Sequence, residues 1–164
     1  MKAKQLIAGI LAWALLLPAL AAGRGDVPMA EDLRVLGKRA EAERIPILLV
    51  FTSPFCIYCD RAKEEYLGPM VDDPEYRDKV IIRQIEAGGD HALIGFDGRK
   101  TTHGAYAASQ KIVMVPTIKV LDGQGRELAD PIVGFLTPDF YFGYIQDAVN
   151  EGLEKMRGKA GVGK

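Results

Sequence analysis

The stretch IPILLVFTSPFCIYC, residues 45–59, decides the fold of this chain because it places both cysteines directly after an apolar run. The run Ile45–Phe51 is made of aliphatic and aromatic residues and predicts a buried strand. After the cysteines, residues 60–67 are polar and helix-prone, so residues 56–67 are predicted to form a helix, which Gly68-Pro69 should end. The sequence therefore predicts a dithiol at the point where a strand gives way to a helix.

The spacing of the two cysteines suits redox chemistry. Residues i and i+3 share one face of a helix, so the sulfurs of Cys56 and Cys59 can meet. The free amides and the dipole of the first helical turn favour a thiolate at Cys56. The same CxxC spacing also occurs in zinc sites, so the motif alone leaves a metal site open.

The N-terminus has the pattern of an export signal. Lys2 and Lys4 precede an apolar run that ends in Ala19-Leu20-Ala21, so we expect residues 1–21 to be a cleaved signal peptide, followed by a linker over 22–28. The alternative is an uncleaved membrane anchor, although the run is short for a span and contains Pro18.

Composition is consistent with an exported redox protein. Without Lys2 and Lys4 the chain has 19 basic and 22 acidic residues, a formal charge of −3, and nothing in it indicates nucleic-acid binding. Both cysteines of the chain lie in one motif, so they are reserved for chemistry and not for a set of structural staples. We therefore expect a periplasmic protein whose dithiol, if it is to stay reduced, needs a dedicated electron donor.

The rest of the chain alternates helix and strand patterns and predicts one α/β domain over residues 29–156. The predicted elements are a helix over 29–44, a short helical turn near 72–75, a strand over 80–85, a Gly-rich loop over 87–101, a helix capped by Thr102 that runs through Gln110, a hairpin with strands 117–121 and 126–133, a last helix with Thr137 as its N-cap, and a flexible tail over 157–164.

Three separated features of this chain resemble the thioredoxin superfamily. The first is the strand, Cys56-x-x-Cys59 and helix unit. The second is Met114-Val115-Pro116-Thr117, at the position where that family has a cis-proline facing the dithiol. The third is Val133-Gly134-Phe135, which matches the family's glycine before the last helix. The resemblance implies a three-layer α/β/α fold with a central mixed sheet.

The resemblance also implies roles for individual residues. Cys56 is expected to attack a partner disulfide and Cys59 to resolve the mixed disulfide, after which the two form their own disulfide. Val115 is expected to offer backbone hydrogen bonds to a bound substrate segment beside cis Pro116, and Phe55, which replaces the family's Trp, completes the predicted substrate site. The alternatives are a trans proline at a strand start and a pair of cysteines that form a structural disulfide or stay inert.

Besides Phe55, the chain departs from the thioredoxins proper at three positions. Ile57-Tyr58 replaces the family's Gly-Pro between the cysteines, and Val50 stands where the family has a buried Asp that assists the resolving thiol. Strong oxidases have a His between the cysteines, and this chain does not. The chain is most similar to the exported thioredoxin-like proteins of Gram-negative bacteria, including those of cytochrome maturation and sulfur oxidation.

The lead hypothesis is a monomeric periplasmic oxidoreductase, without cofactor or metal, which reduces client proteins and receives electrons from a membrane donor. The alternatives are a disulfide oxidase or isomerase, and a redox-inert or metal-carrying module on the same fold. His91 and His103 could complete a Cys2His2 set, but we expect them to be solvated loop residues. An aromatic cluster (Phe135, Phe140, Tyr141, Phe142 and Tyr144) is expected to pack in the core with a partly exposed edge.

Overall fold

A central four-stranded sheet, covered by helices on both faces, forms the domain in a computed structural model that describes residues 26–135 and 137–158. The sheet contains β1 (Ile47–Thr52), β2 (Ile81–Glu86), β5 (Thr117–Leu121) and β6 (Ile132–Val133) in the spatial order β2-β1-β5-β6. Strand β1 pairs in parallel with β2 and antiparallel with β5, which in turn pairs antiparallel with β6. The predicted three-layer α/β/α fold with a mixed sheet is confirmed.

The six helices and a second, two-stranded sheet complete the domain. Their bounds are α1 Leu33–Glu43, α2 Ile57–Arg61, a π-helical segment Ala62–Leu67, α3 Gly68–Asp72, α4 Pro74–Arg77, β3 Ala92–Ile94, β4 Lys100–Thr102, α5 His103–Ser109 and α6 Pro138–Gly158. All six residues of β1 are buried, because this strand lies between two others and has helices on both faces.

Strand register shows which helices cover which face. Leu48 lies opposite Val120. A methyl group built on Gly152 of α6 would be 2.8 Å from a Val120 methyl, so α6 covers this face. Phe51 points to the other face, because side chains alternate along a strand, and its ring stacks on Tyr106 of α5. The helix that carries the cysteines shares the α6 face, since Tyr66 donates a hydrogen bond to the Pro138 carbonyl at 3.0 Å.

The N-terminal segment differs from the prediction. Helix α1 begins at Leu33, after Asp32 caps it by accepting from the Val35 amide at 2.9 Å, and not at Met29. Residues 28–30 instead lie along the outer edge of β2, where the Gln84 amide donates to the Pro28 carbonyl at 2.8 Å. Val27 is buried, so the chain is already packed onto the domain within the predicted linker 22–28. The exposed edge of β2 accounts for the difference, because its backbone groups bind residues 28–30, and helix propensity does not take such partners into account.

The sequence predicts that the helix after the cysteines ends at Gly68-Pro69, but in the structure it continues past these residues. It widens into the π-helical segment, where the Gly68 amide donates to the Lys63 carbonyl five residues back, and continues as α3. Pro69 then occupies the first turn of α3, where a missing N–H has little cost. The short helical turn predicted near 72–75 is present as α4.

The predictions for the second half were right in type and wrong in extent. The predicted loop 87–101 contains the β3–β4 hairpin, which pairs Leu93 with Thr101. The strand predicted over 126–133 is reduced to β6 and one isolated bridge at Glu127, because Pro131 has no N–H to donate. Thr102 caps α5 as predicted. Helix α6 runs through Gly158, two residues into the predicted tail 157–164.

The predicted signal peptide, residues 1–21, lies outside the described residues. Every helix within residues 26–135 and 137–158 is too short or too polar to cross a membrane.

Candidate active site

The dithiol lies at one end of the central sheet. Strand β1 ends at Thr52, and residues 53–55 lead directly into Cys56, the N-cap of α2. The register of β1 and β5 places Phe51 opposite Thr117, so the preceding Pro116 lies at the same end of the sheet. The fold therefore brings two of the three sequence features, the dithiol and the proline, to the same end of the sheet.

Cys56 and Cys59 form a disulfide with an S–S distance of 2.12 Å and a Cα–Cα distance of 5.2 Å. The Cys59 amide donates to Cys56 Sγ at 3.2 Å. Cys56 is half-buried at the start of the helix, whereas Cys59 is fully buried one turn further on. A partner can therefore approach Cys56, while Cys59 is shielded from solvent.

Large apolar side chains at the end of the sheet that carries the dithiol are exposed to solvent. Phe55, Ile57 and Tyr58 flank the cysteines, and Val113 and Met114 come from the loop before Pro116. We call these five residues the apolar rim. Phe55 is fully exposed and has a φ of +58°, an uncommon conformation for an aromatic residue, which turns it away from the core. Sequence reasoning missed Val113 and Met114, although two large apolar residues just before the proline were a signal for them.

The peptide bond between Val115 and Pro116 is cis, as the family resemblance implied. Two hydrogen bonds hold this loop. The Gly134 amide donates to the Pro116 carbonyl at 2.8 Å, and the Thr117 hydroxyl donates to the Met114 carbonyl at 2.8 Å. Gly134 has a φ of +80°, a conformation that favours glycine, so the third sequence feature serves to fix the second.

An aromatic cluster joins the dithiol helix to the segment before α6. Phe135 lies at its centre, 6.0 Å from the Tyr58 ring, 6.0 Å from the Tyr66 ring and 4.5 Å from the Tyr141 ring. The Arg61 guanidinium lies over the Phe135 ring at 4.8 Å. The sequence predicted Phe135 and Tyr141 as members, but it did not connect them to Tyr58, because contacts between distant segments leave no local pattern.

The remaining members of the predicted aromatic cluster separate by exposure. Tyr141 is in the core, and burial raises the pKa of its hydroxyl well above the ordinary tyrosine value, with a smaller contribution from Tyr66. Phe140 and Tyr144 are largely exposed, and Phe142 lies at the edge with its ring stacked on Tyr66 at 6.3 Å. The predicted core with an exposed edge is confirmed.

Val50 lies where the resemblance places a buried carboxylate in related proteins. It is fully buried, and its register opposite Ile118 turns it to the face covered by α6 and the dithiol helix. At this position the chain therefore has an apolar side chain that is part of the core.

The two histidines do not behave alike. His91 is exposed, as predicted, but the prediction of a solvated His103 is wrong, because this side chain is fully buried. His103 Nδ1 accepts from the Glu86 amide at 3.0 Å, so Nε2 carries the hydrogen and donates to the Ala30 carbonyl at 2.7 Å. His103 thus ties β2 and the N-terminal segment to α5. In the described part of the chain, no three His, Cys, Asp or Glu side chains are grouped so that they could hold a metal ion.

Comparisons with known proteins agree with this geometry. The model of a family described as a thioredoxin-like domain matches residues 35–148. Among solved structures, DsbH oxidoreductase is similar with a TM-score of 0.53 and 15% identity over 77% of this chain and 88% of its own. The long form of thioredoxin f from spinach chloroplast has a TM-score of 0.51 and 20% identity over 76% of this chain and 88% of its own.

The periplasmic thioredoxin SoxS from Paracoccus pantotrophus has a TM-score of 0.45 and 17% identity over 65% of this chain and 97% of its own. No curated protein matches the chain.

Proposed function

The chain belongs to the thioredoxin-like domain family and is a thiol–disulfide oxidoreductase, and we propose that it works in the periplasm, where it reduces the disulfides of partner proteins. The observation that carries the exchange chemistry within this proposal is the unequal exposure of the two cysteines. Cys56 is half-buried within the apolar rim, and Cys59 is buried behind it.

The exchange then proceeds in two displacements. The Cys56 thiolate attacks one sulfur of the partner disulfide, forms a mixed disulfide and releases the other partner sulfur as a thiolate. The Cys59 thiolate next attacks Cys56 Sγ, breaks the mixed disulfide and releases the second partner thiolate. Two electrons have passed to the partner, and Cys56 and Cys59 are left as the disulfide. The amide that donates to Cys56 Sγ stabilises the thiolate form of this residue.

The site suits a partner with an apolar segment around its disulfide. Phe55 and the two rim residues before Pro116 offer exposed apolar area at the end of the sheet that carries Cys56, and exposed patches of this kind mark protein interaction sites. The Val115 backbone beside cis Pro116 would hold an extended client segment. A membrane thiol–disulfide donor would return electrons to the pair, and the domain would act as a monomer.

Export is supported by the sequence of residues 1–21. The test is N-terminal sequencing of protein released from the periplasm of a Gram-negative host by osmotic shock. A mature chain that begins close to residue 22 is expected. Full-length protein retained in the membrane fraction would contradict a cleaved signal peptide and favour an anchor.

Trapping tests the assigned roles. Cys59→Ser removes the resolving thiol, so this variant should accumulate mixed disulfides with clients or with a model disulfide, seen as adducts on a non-reducing gel. Cys56→Ser is the matched control and should form none while it loses insulin reduction. Adducts with Cys56→Ser and none with Cys59→Ser would reverse the roles. Catalysed oxidation of reduced clients without catalysed insulin reduction would favour the oxidase alternative.

A further inference from the structure

Phe135 connects the two halves of the active site. Its ring contacts Tyr58, which lies between the two cysteines, and the Arg61 guanidinium in the next turn of the same helix. The preceding residue, Gly134, donates its amide to the Pro116 carbonyl. One short segment therefore fixes the dithiol turn with a side chain and the cis-proline loop with its backbone.

The Phe135 ring also contacts α6 and the rest of the dithiol helix. It is half-buried and lies 4.5 Å from the buried Tyr141 ring of α6. Tyr66 contacts both rings and donates to the Pro138 carbonyl at the start of α6. Arg61 is held by Glu65, which accepts two hydrogen bonds at 2.7 and 3.1 Å. Phe135 is thus packed between the helix that carries the cysteines and α6.

Tyr58 is the side chain through which this support reaches the dithiol. The disulfide closes a ring of four residues, Cys56 to Cys59, and Tyr58 is inside it. Opening the disulfide removes the covalent restraint on this turn, so the contact between Tyr58 and Phe135 favours the disulfide form by the amount by which it is stronger there than in the dithiol form. Tyr58 is about half exposed, and the ring contact of its side chain among the described residues is with Phe135.

We propose that Phe135 is a positioning residue that sets the equilibrium between the dithiol and the disulfide of Cys56 and Cys59 through its contact with Tyr58. The proposal goes beyond the proposed function, since it rests on the reversible chemistry of the pair and not on the client, the compartment or the direction of electron flow. Phe135 takes no direct part in the two displacements.

The test is the equilibrium constant of the full-length protein with reduced and oxidised glutathione, measured by alkylation of free thiols. Phe135→Leu should shift the constant toward the dithiol by about two- to tenfold, the range that an aromatic pair supplies. Phe135→Tyr keeps the ring and should restore the constant of the parent. Phe142→Leu is the matched control, because Phe142 stacks on Tyr66 but has no ring contact with Tyr58 among the described residues, and it should leave the constant unchanged.

Tyr58→Leu removes the same contact from its exposed side, which keeps the test decisive if Phe135→Leu folds poorly. It should shift the constant in the same direction, and the double variant should shift it no further than either single one. An unchanged constant in Tyr58→Leu, additive shifts in the double variant, or an equal shift in Phe142→Leu would each overturn the proposal. None of these outcomes depends on whether the protein reduces or oxidises its clients.

Discussion

Burial at single positions determines what the chemistry of this site can use. Val50 is fully buried on the face of the sheet that the dithiol helix covers, so no carboxylate lies on this strand to take the proton of the resolving thiol. The resolving step then depends on a Cys59 thiolate formed without the help of a base on this strand. This predicts a slower resolution than a buried base would allow.

Val50→Asp should accelerate the resolving step near neutral pH, because a buried carboxyl has a raised pKa and can accept a proton there. It should also lower the free energy of unfolding by about 1–3 kcal/mol. Because the folded state holds the neutral acid, this loss should increase as pH rises above the unfolded value of about 4 toward the folded pKa. Stopped-flow reduction of a model disulfide and urea unfolding across pH measure both effects.

Val50→Asn is the matched control for this prediction. It buries a polar group of similar size that cannot accept the proton, so it should destabilise the fold without the gain in rate or the added dependence on pH. Equal rates for both variants would mean that position 50 does not communicate with Cys59.

His103 is a structural residue, since its two ring nitrogens serve the Glu86 amide and the Ala30 carbonyl. His103→Ala leaves both backbone groups without their partner, and we expect the free energy of unfolding to fall by about 2–4 kcal/mol. His91→Ala changes an exposed ring nearby and should alter it by less than about 0.5 kcal/mol. Urea unfolding of both variants is the measurement, and similar losses would contradict the assignment of the buried role to His103.

At the scale of elements, α6 is held against the sheet by a close approach at Gly152. A methyl group there would lie 2.8 Å from a Val120 methyl and 3.1 Å from Pro46 Cβ. We expect Gly152→Ala to lower the free energy of unfolding by about 1–3 kcal/mol, because the cost of overpacking exceeds the gain in helix propensity. Thermal unfolding measures the change.

Gly143→Ala in the same helix provides the matched control. A methyl group at Gly143 meets no atom within 4 Å, so the variant should gain about 0.5–1 kcal/mol from helix propensity alone. A stabilising Gly152→Ala would show that α6 can move away from the sheet, and the packing argument would fail.

The sequence predicted the elements that local chemistry dictates. The buried strand before the cysteines, the Thr102 cap and the last helix depend on patterns within a few residues, and all are present. The edge pairing of residues 28–30 with β2 depends on a partner distant in sequence, and a local pattern carries no record of such a partner. The continuation of the helix past Pro69 and the β3–β4 hairpin are local, and the sequence does not predict them because Gly68-Pro69 is typical of a helix end and the composition of 87–101 is typical of a loop.

The site was predictable to the same extent. The cysteines and Pro116 were identified by motif and by family resemblance, and the cis bond at Pro116 followed from the resemblance alone. The burial of His103 and the contact of Phe135 with Tyr58 could not be predicted, because both join segments more than 70 residues apart.

At the scale of the whole molecule, the fold gathers the chemistry at one end of the sheet. The parallel pair β1–β2 and the antiparallel pair β1–β5 bring Cys56, Pro116 and Glu86, whose amide is bound by His103, to the same end of the sheet. The scaffold behind them is closely packed, with a fully buried central strand and helices on both faces. At this end of the sheet, Cys56 and the apolar rim are the part that a client can reach.

The reduction potential of the Cys56–Cys59 pair tests the central claim most directly. A protein that donates electrons to client disulfides should have a potential near that of thioredoxin, about −270 mV, when it is equilibrated with a glutathione or dithiothreitol buffer. A potential of about −120 mV, typical of a strong disulfide oxidant, would contradict the claim that this protein is a reductant.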